Sequence, residues 1–285
     1  MPNVITVTNQ KGGTGKTTLS ALLGIGLASK GYNVLLIDLD PQAHLSSLFV
    51  KITNLENVSD GAIEMAQDLR FNIRPINIGT RGRLGLIASG LNYIIKVYRG
   101  MIPSTDPYAI YKRIEREPAI TRNYDYVICD TPPELFPPTI WGLFAADYII
   151  IPSNLEELSI LGTKLLIKEV LPEVIMYSKK NVRVLGMALI NISKKYGQDT
   201  FNKLNDALTR FIRNLPVPVR ERFYARPLFQ ARIHRHEELK DLPYRPRRWE
   251  LPLKRVVDRS AELRIEVQSF VDELISRMSN FAGLQ

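Results

Sequence analysis

Residues 4–20 read VITVTNQKGGTGKTTLS. The β-branched run Val4–Thr8 predicts a strand, and the residues after Lys16 predict a helix to Ser29, stopped by Gly31. A strand, a glycine-rich turn and a helix opening on GKTT is the setting of a phosphate-binding loop. Gly12, Gly13 and Gly15, with Thr14 between them, let the backbone approach an anion, and the amides at the helix N-terminus point at it. In that setting Lys16 reaches the β- and γ-phosphate oxygens, Thr17 offers its hydroxyl to Mg²⁺, and Thr18 offers one to the α-phosphate. One feature departs from the usual GxxxxGK[ST] pattern. Gln10 stands where the first glycine belongs, and Lys11 adds a second positive charge.

Outward from this stretch, short β-branched runs alternate with longer helical patterns. Strands are expected at Val4–Thr8, Val34–Ile37, Leu84–Ala88, Tyr126–Cys129, Tyr148–Ile151 and Val184–Ile190. Helices are expected at Lys16–Ser29, Pro107–Arg116, Thr139–Ala145, Leu158–Met176 and Asp199–Asn214. Most strands are continuously apolar, as when helices cover both faces. The fold class is therefore α/β, a doubly wound, mostly parallel sheet flanked by helices. The stretch 60–102 gives no clear pattern. A last helix, about Arg255–Phe281, carries Leu263, Val267, Phe270, Val271, Leu274, Ile275 and Met278 at helical spacing. Its polar face includes Asp258, Glu262, Glu266, Asp272 and Glu273, which fits packing on the core better than lying on a membrane. Residues 1–285 read as a single domain, with a basic, proline-containing extension at about 216–259.

Two later strands end in carboxylates. NVLLIDLDPQA carries Asp38 and Asp40, and YDYVICDTPP carries Asp130. Strand-end aspartates at the carboxyl edge of such a sheet deliver carboxylates to a Mg²⁺ shell, directly or through water. Asp40, two residues further into the loop than Asp38, is the candidate for orienting an attacking water; Asp38 stands behind it.

Composition narrows the setting. The single cysteine, Cys129, allows no internal disulfide, and no Cys/His cluster offers a metal site. No secretory leader and no run of about 20 apolar residues is present, which points to a soluble, cytoplasmic protein. The net charge of +9 points to a polyanionic partner. From Pro216 to Arg259 twelve Lys or Arg face six acids, with Phe223, Tyr224, Tyr244 and Trp249 interleaved. Such an arginine-rich segment suits sequence-independent, salt-sensitive phosphate contacts.

KGGTGKTT, LIDLDPQA, DYVICDTPP and AADYIIIPSNLEELSILG together resemble the deviant Walker A, or ParA/MinD, family of P-loop ATPases, over most of the chain. The spelling DxDPQ is most similar to the partition ATPases of the ParA type. The resemblance implies ATP and Mg²⁺ as cofactors, slow hydrolysis of ATP, and a nucleotide-sandwich homodimer in which Lys11 reaches the other subunit's phosphates. Lys16, Thr17, Asp40 and Asp130 take the P-loop, magnesium, water-positioning and Walker B roles, Asp40 and Asp130 also serving the metal. It further implies Asn191 near the adenine and Pro216 and Pro218 at the turn bordering the base. Lys195 and Arg222 are implied as contacts to non-specific double-stranded DNA, and the arginine run Arg245, Arg247 and Arg248 is added from its charge. A ParB-type centromere-binding adaptor would stimulate hydrolysis, at the nucleoid and without a membrane. The alternative is a MinD-like membrane-associated positioning ATPase. The nitrogenase iron protein shares the loop but requires two cluster cysteines per subunit. Where the family's usual sequence is expected after residue 224, this chain has ARPLFQARIHRHEELKDLPYRPRRWELP instead.

Overall fold

The computed structural model describes residues 1–50, 58–90, 105–155, 163, 165–240 and 257–282. Its frame is an eight-stranded sheet in the order β3-β4-β2-β5-β1-β6-β7-β8. The strands are β1 (Asn3–Val7), β2 (Val34–Asp38), β3 (Arg74–Ile76), β4 (Leu84–Ile87), β5 (Tyr126–Asp130), β6 (Tyr148–Ser153), β7 (Arg183–Ile192) and β8 (Ile233–His234). All neighbours pair in parallel except β3, which runs antiparallel to β4. The six expected strands are present with ends shifted by one or two residues. β3 and β8 have no sequence signature, being three and two residues long, too short to display a period-2 pattern.

The longer helices are α1 (Lys16–Ser29), α2 (Ala109–Arg116), α3 (Pro137–Ala145), α4 (Leu171–Tyr177), α5 (Gln198–Arg213) and α6 (Ala261–Ala282). Part of the helix expected at Leu158–Met176 lies outside the described residues; its later part is a π-helical turn, Leu166–Val170, running into α4. The expected C-terminal helix is divided, residues 257–259 being helical ahead of α6. Ser260 interrupts it, its Oγ accepting from the Leu263 amide at 3.2 Å as an N-cap does.

Side-chain alternation along the strands feeds two cores. Ile5, Val7, Val34, Leu36, Tyr126 and Ile128 pack with α1 and α6, whereas Val4, Leu35, Ile37, Val127 and Cys129 pack with α2 and α3. The apolar stripe of α6 is consumed on the first of these faces: Leu263, Val267, Phe270, Val271, Leu274 and Met278 are buried. Gly26 lets α1 and α6 come this close, because a Cβ there would meet Val271 Cγ2 at 2.7 Å. Arg277, 1% exposed, ties α6 to the sheet by donating to the carbonyls of Leu185, Arg226 and Leu228 and to Glu273. Its guanidinium also lies over the rings of Phe229 and Tyr224.

Candidate functional site

The carboxyl edge of the sheet assembles the phosphate loop. Parallel register sets Val7 of β1 beside Asp130 of β5, and Asp130 beside Asp38 of β2, so both carboxylates emerge level with the turn that follows β1. That turn depends on left-handed backbone at Gly13 (φ 74°) and Gly15 (φ 85°), which glycine adopts at little cost. Gly15 also lies against β7, where a Cβ would meet Ile190 Cγ2 at 3.0 Å. At Gly12 a Cβ would meet nothing within 4 Å, leaving an open cradle over the amides. Lys16 Nζ donates to the Lys11 carbonyl at 2.9 Å, and Thr14 Oγ1 donates to the same oxygen at 3.3 Å. Asn9 Nδ2 donates to the Pro152 carbonyl at 2.8 Å, tying the entry of the loop to β6. Its Oδ1, Thr8 Oγ1 and Gln10 Nε2 are buried without a protein partner. An open cradle, a lysine in the loop and orphaned polar atoms beneath it suit a phosphate group.

Asp130, fully buried, holds the start of α1. Its Oδ2 accepts from Thr17 Oγ1 at 2.9 Å and its Oδ1 from Ser20 Oγ at 2.8 Å. Burial pushes its pKa up to about 7, against the pull of the Ser20 and Thr17 hydroxyls and of Lys16; the charge of Asp40 adds to the rise. Asp38 is pushed up to about 8, by burial first and by Asp130 second, with Ser46 opposing. A divalent cation against the Thr17 hydroxyl and the Asp130 carboxylate would offset that burial, and the donor set is the hard oxygen type Mg²⁺ prefers.

Asp40 stands one turn further out, 6% exposed, its Oδ1 accepting from the Gln42 amide at 2.8 Å. His44 Nδ1 lies 3.7 Å from Asp40 Oδ2, and that carboxylate raises the imidazole's pKa. On the same edge the loop after Asp130 exposes Leu135 and Phe136, 41% and 54% accessible, while Thr139 Oγ1 anchors it by donating to the Glu134 carbonyl at 2.6 Å.

The other expected site residues divide between the two edges of the sheet. Asn191, at the end of β7, is exposed with φ 57° at a bulge, next to the residue that packs on Gly15. Lys195 follows on the same edge, exposed, and Arg235 joins it, its amide donating to the Ile192 carbonyl at 2.9 Å. Arg222 lies at the other end of β7, its carbonyl accepting from the Val184 amide at 2.8 Å. From Val184 to Ile192 at about 3.3 Å per residue is roughly 26 Å, so Lys195 and Arg222 do not form one patch. Pro216 and Pro218 correct the expectation placed on them. α5 returns the chain to the amino-terminal edge, where the turn Val217–Arg220 packs with Val174 and Val182, far from the phosphate loop. Arg245, Arg247 and Arg248 lie outside the described residues. Sequence reading missed Ser20 and Arg235 as site residues. Ser20 carries the one available signal, lying on the helical face of Lys16 one turn on.

A sequence profile described as an AAA domain matches residues 2–184. Sporulation initiation inhibitor protein Soj of Bacillus subtilis is 32% identical over 217 residues, which cover 71% of this chain and 83% of Soj. The chain belongs to the ParA/MinD family of P-loop ATPases. The structure of pNOB8 ParA superposes with a TM-score of 0.82 at 23% identity, over 98% of this chain and 99% of that one. The structure of pNOB8 ParA bound to nonspecific DNA does so with 0.81 at 22% identity, over the same shares. A cobyrinic acid a,c-diamide synthase from Mycobacterium smegmatis, with bound ADP and magnesium, is 26% identical with a TM-score of 0.63, over 76% of this chain and 84% of that one. Among the described residues no helix is long and apolar enough to cross a membrane.

Proposed function

We propose that this protein is an ATP-dependent, dimerising DNA-partition ATPase acting as one domain. The observation that carries the proposal is the convergence of the phosphate loop, Asp130 and Asp40 at the same sheet edge as Lys195 and Arg235. Gly12–Thr18 cradle the phosphates of ATP, and Lys16 turns from the Lys11 carbonyl toward them. Thr17 and Asp130 hold Mg²⁺, with Asp40 reaching its shell. Mg²⁺, when bound, supplies neutralisation of the charge that builds on the phosphates. Asp40 orients the attacking water, a positioning rather than a base role, and intrinsic turnover is assigned as slow.

A lysine serving only its own subunit would duplicate Lys16, so Lys11 is assigned to the neighbour's phosphates. Leu135 and Phe136 leave apolar surface on this edge, which a second copy would cover. Closure doubles the phosphate contacts to DNA, and affinity for a polyanion rises steeply with their number. The nonspecific DNA bound by pNOB8 ParA supports that ligand class. Asn191 borders the adenine. The DNA surface is assigned to Lys195 and Arg235, with Arg245, Arg247 and Arg248 as further contacts. A ParB-type adaptor stimulates hydrolysis and releases the dimer, in the cytoplasm at the nucleoid. The MinD-like alternative is less favoured, because the apolar stripe of α6 is buried. The test is a salt titration of duplex DNA and of anionic liposomes with ATP and with ADP. ATP-dependent DNA binding is expected; ATP-dependent liposome binding without DNA binding would replace this reading.

A further inference from the structure

We propose that Asp38 is the positioning residue that folds the Asp40–Ser46 loop and so sets where the Asp40 carboxylate stands. This inference rests on the assignment of Asp40 as the residue that orients water. Asp38 is fully buried at the end of β2, and each of its hydrogen-bond donors comes from that loop. Its Oδ1 accepts from the Asp40 amide at 3.1 Å. Its Oδ2 accepts from the Ser46 amide at 2.7 Å and from Ser46 Oγ at 2.6 Å. Ser46 Oγ in turn accepts from the Ser89 amide at 2.9 Å, just beyond β4, so the loop is fixed to two strand ends through one carboxylate and one hydroxyl. Between these anchors the chain turns sharply: Ala43 has φ 55°, and its amide donates to the Asp40 carbonyl at 2.8 Å.

A carboxylate buried this deeply, beside Asp130, is costly unless its lone pairs are met, and an apolar side chain would fill the space at lower cost. What the carboxylate adds is a gathering point for donors presented by residues 40 and 46. Asp40 is thereby held in a defined position while its Oδ1 accepts from the Gln42 amide and its Oδ2 faces the His44 ring at 3.7 Å.

The experiment measures ATP turnover, nucleotide affinity and thermal unfolding for Asp38→Asn, Ser46→Ala, Ser46→Thr and Asp40→Ala in the full chain. In Asp38→Asn either orientation of the amide sets an NH₂ against a donor, and kcat is expected to fall on the order of 10- to 100-fold, as for a catalytic group displaced by about 1 Å. Nucleotide affinity should stay unchanged. Ser46→Ala should show a smaller loss of the same kind, and Ser46→Thr, which keeps the hydroxyl, should restore turnover. Wild-type kcat in a folded Asp38→Asn overturns the proposal, as does a loss of kcat matched by an equal loss of nucleotide affinity. If Asp38→Asn does not fold, Ser46→Ala decides, and wild-type kcat there overturns the proposal. Wild-type turnover in Asp40→Ala would instead remove the role given to Asp40, an outcome separable from the others.

Discussion

Thr17 Oγ1 donates to Asp130 Oδ2 across 2.9 Å, joining the first turn of α1 to the end of β5 through residues 113 positions apart in sequence. The bond is where metal and nucleotide chemistry would meet. Removing the lysine one residue earlier tests it. Lys16→Ala should abolish ATP binding and ATP-dependent self-association, measured by equilibrium binding and by light scattering. Self-association with ATP that persists in this variant would remove the phosphate loop from the mechanism.

Asp40→Ala should separate binding from hydrolysis. Affinity for ATP should persist while turnover falls by about 10²-fold or more, the scale of a lost positioning group. An ATP-bound dimer should then accumulate on DNA.

The buried carboxylates predict an unusual pH dependence. Asp38 and Asp130 titrate near 8 and 7 in the folded chain against 3.8 in the unfolded one, so the folded state holds protons more tightly. Their stabilising contribution is complete below that lower value and is lost as pH rises through 7 to 8. His44, also raised, acts with the same sign. With EDTA and no nucleotide, the urea midpoint should fall between pH 5 and pH 8. Mg²⁺ and ATP should reduce the fall, because a cation favours the ionised form. A midpoint that rises across this range would contradict the burial argument.

Opposite edges of the sheet give the DNA surface a direct test. Lys195→Ala and Arg235→Ala should each lower the slope of log affinity against log salt by about one. Arg222→Ala, at the amino-terminal edge, should leave it unchanged.

Arg277 carries a stability prediction without a catalytic one. Arg277→Ala strands the carbonyls of Leu185 and Leu228 and removes the charge paired with Glu273, which keeps the Gln230 and Ala231 amides, and should cost about 3–5 kcal/mol in chemical denaturation. Its position on α6, an ordinary-looking basic residue in a mixed polar face, gives no sequence sign of burial.

What the sequence determined by itself is the local machinery. Lys11–Thr18 specify a turn because only glycine adopts the left-handed backbone at residues 13 and 15 cheaply, and Asp38, Asp40 and Asp130 follow apolar strands whose ends must face one edge of a parallel sheet. Those are short-range consequences of residue type and period. Tertiary structure alone decided what shares an edge with what. The family resemblance implied Lys195 and Arg222 as contacts to the same DNA, and Pro216 and Pro218 as neighbours of the base. α5 carries the chain back across the sheet before Pro216, and the parallel return beside β7 then raises Arg235, not Arg222, to the nucleotide edge. The direction of a connection is set by packing on Val174 and Val182 and by strand pairing with β7, long-range interactions that no local pattern encodes.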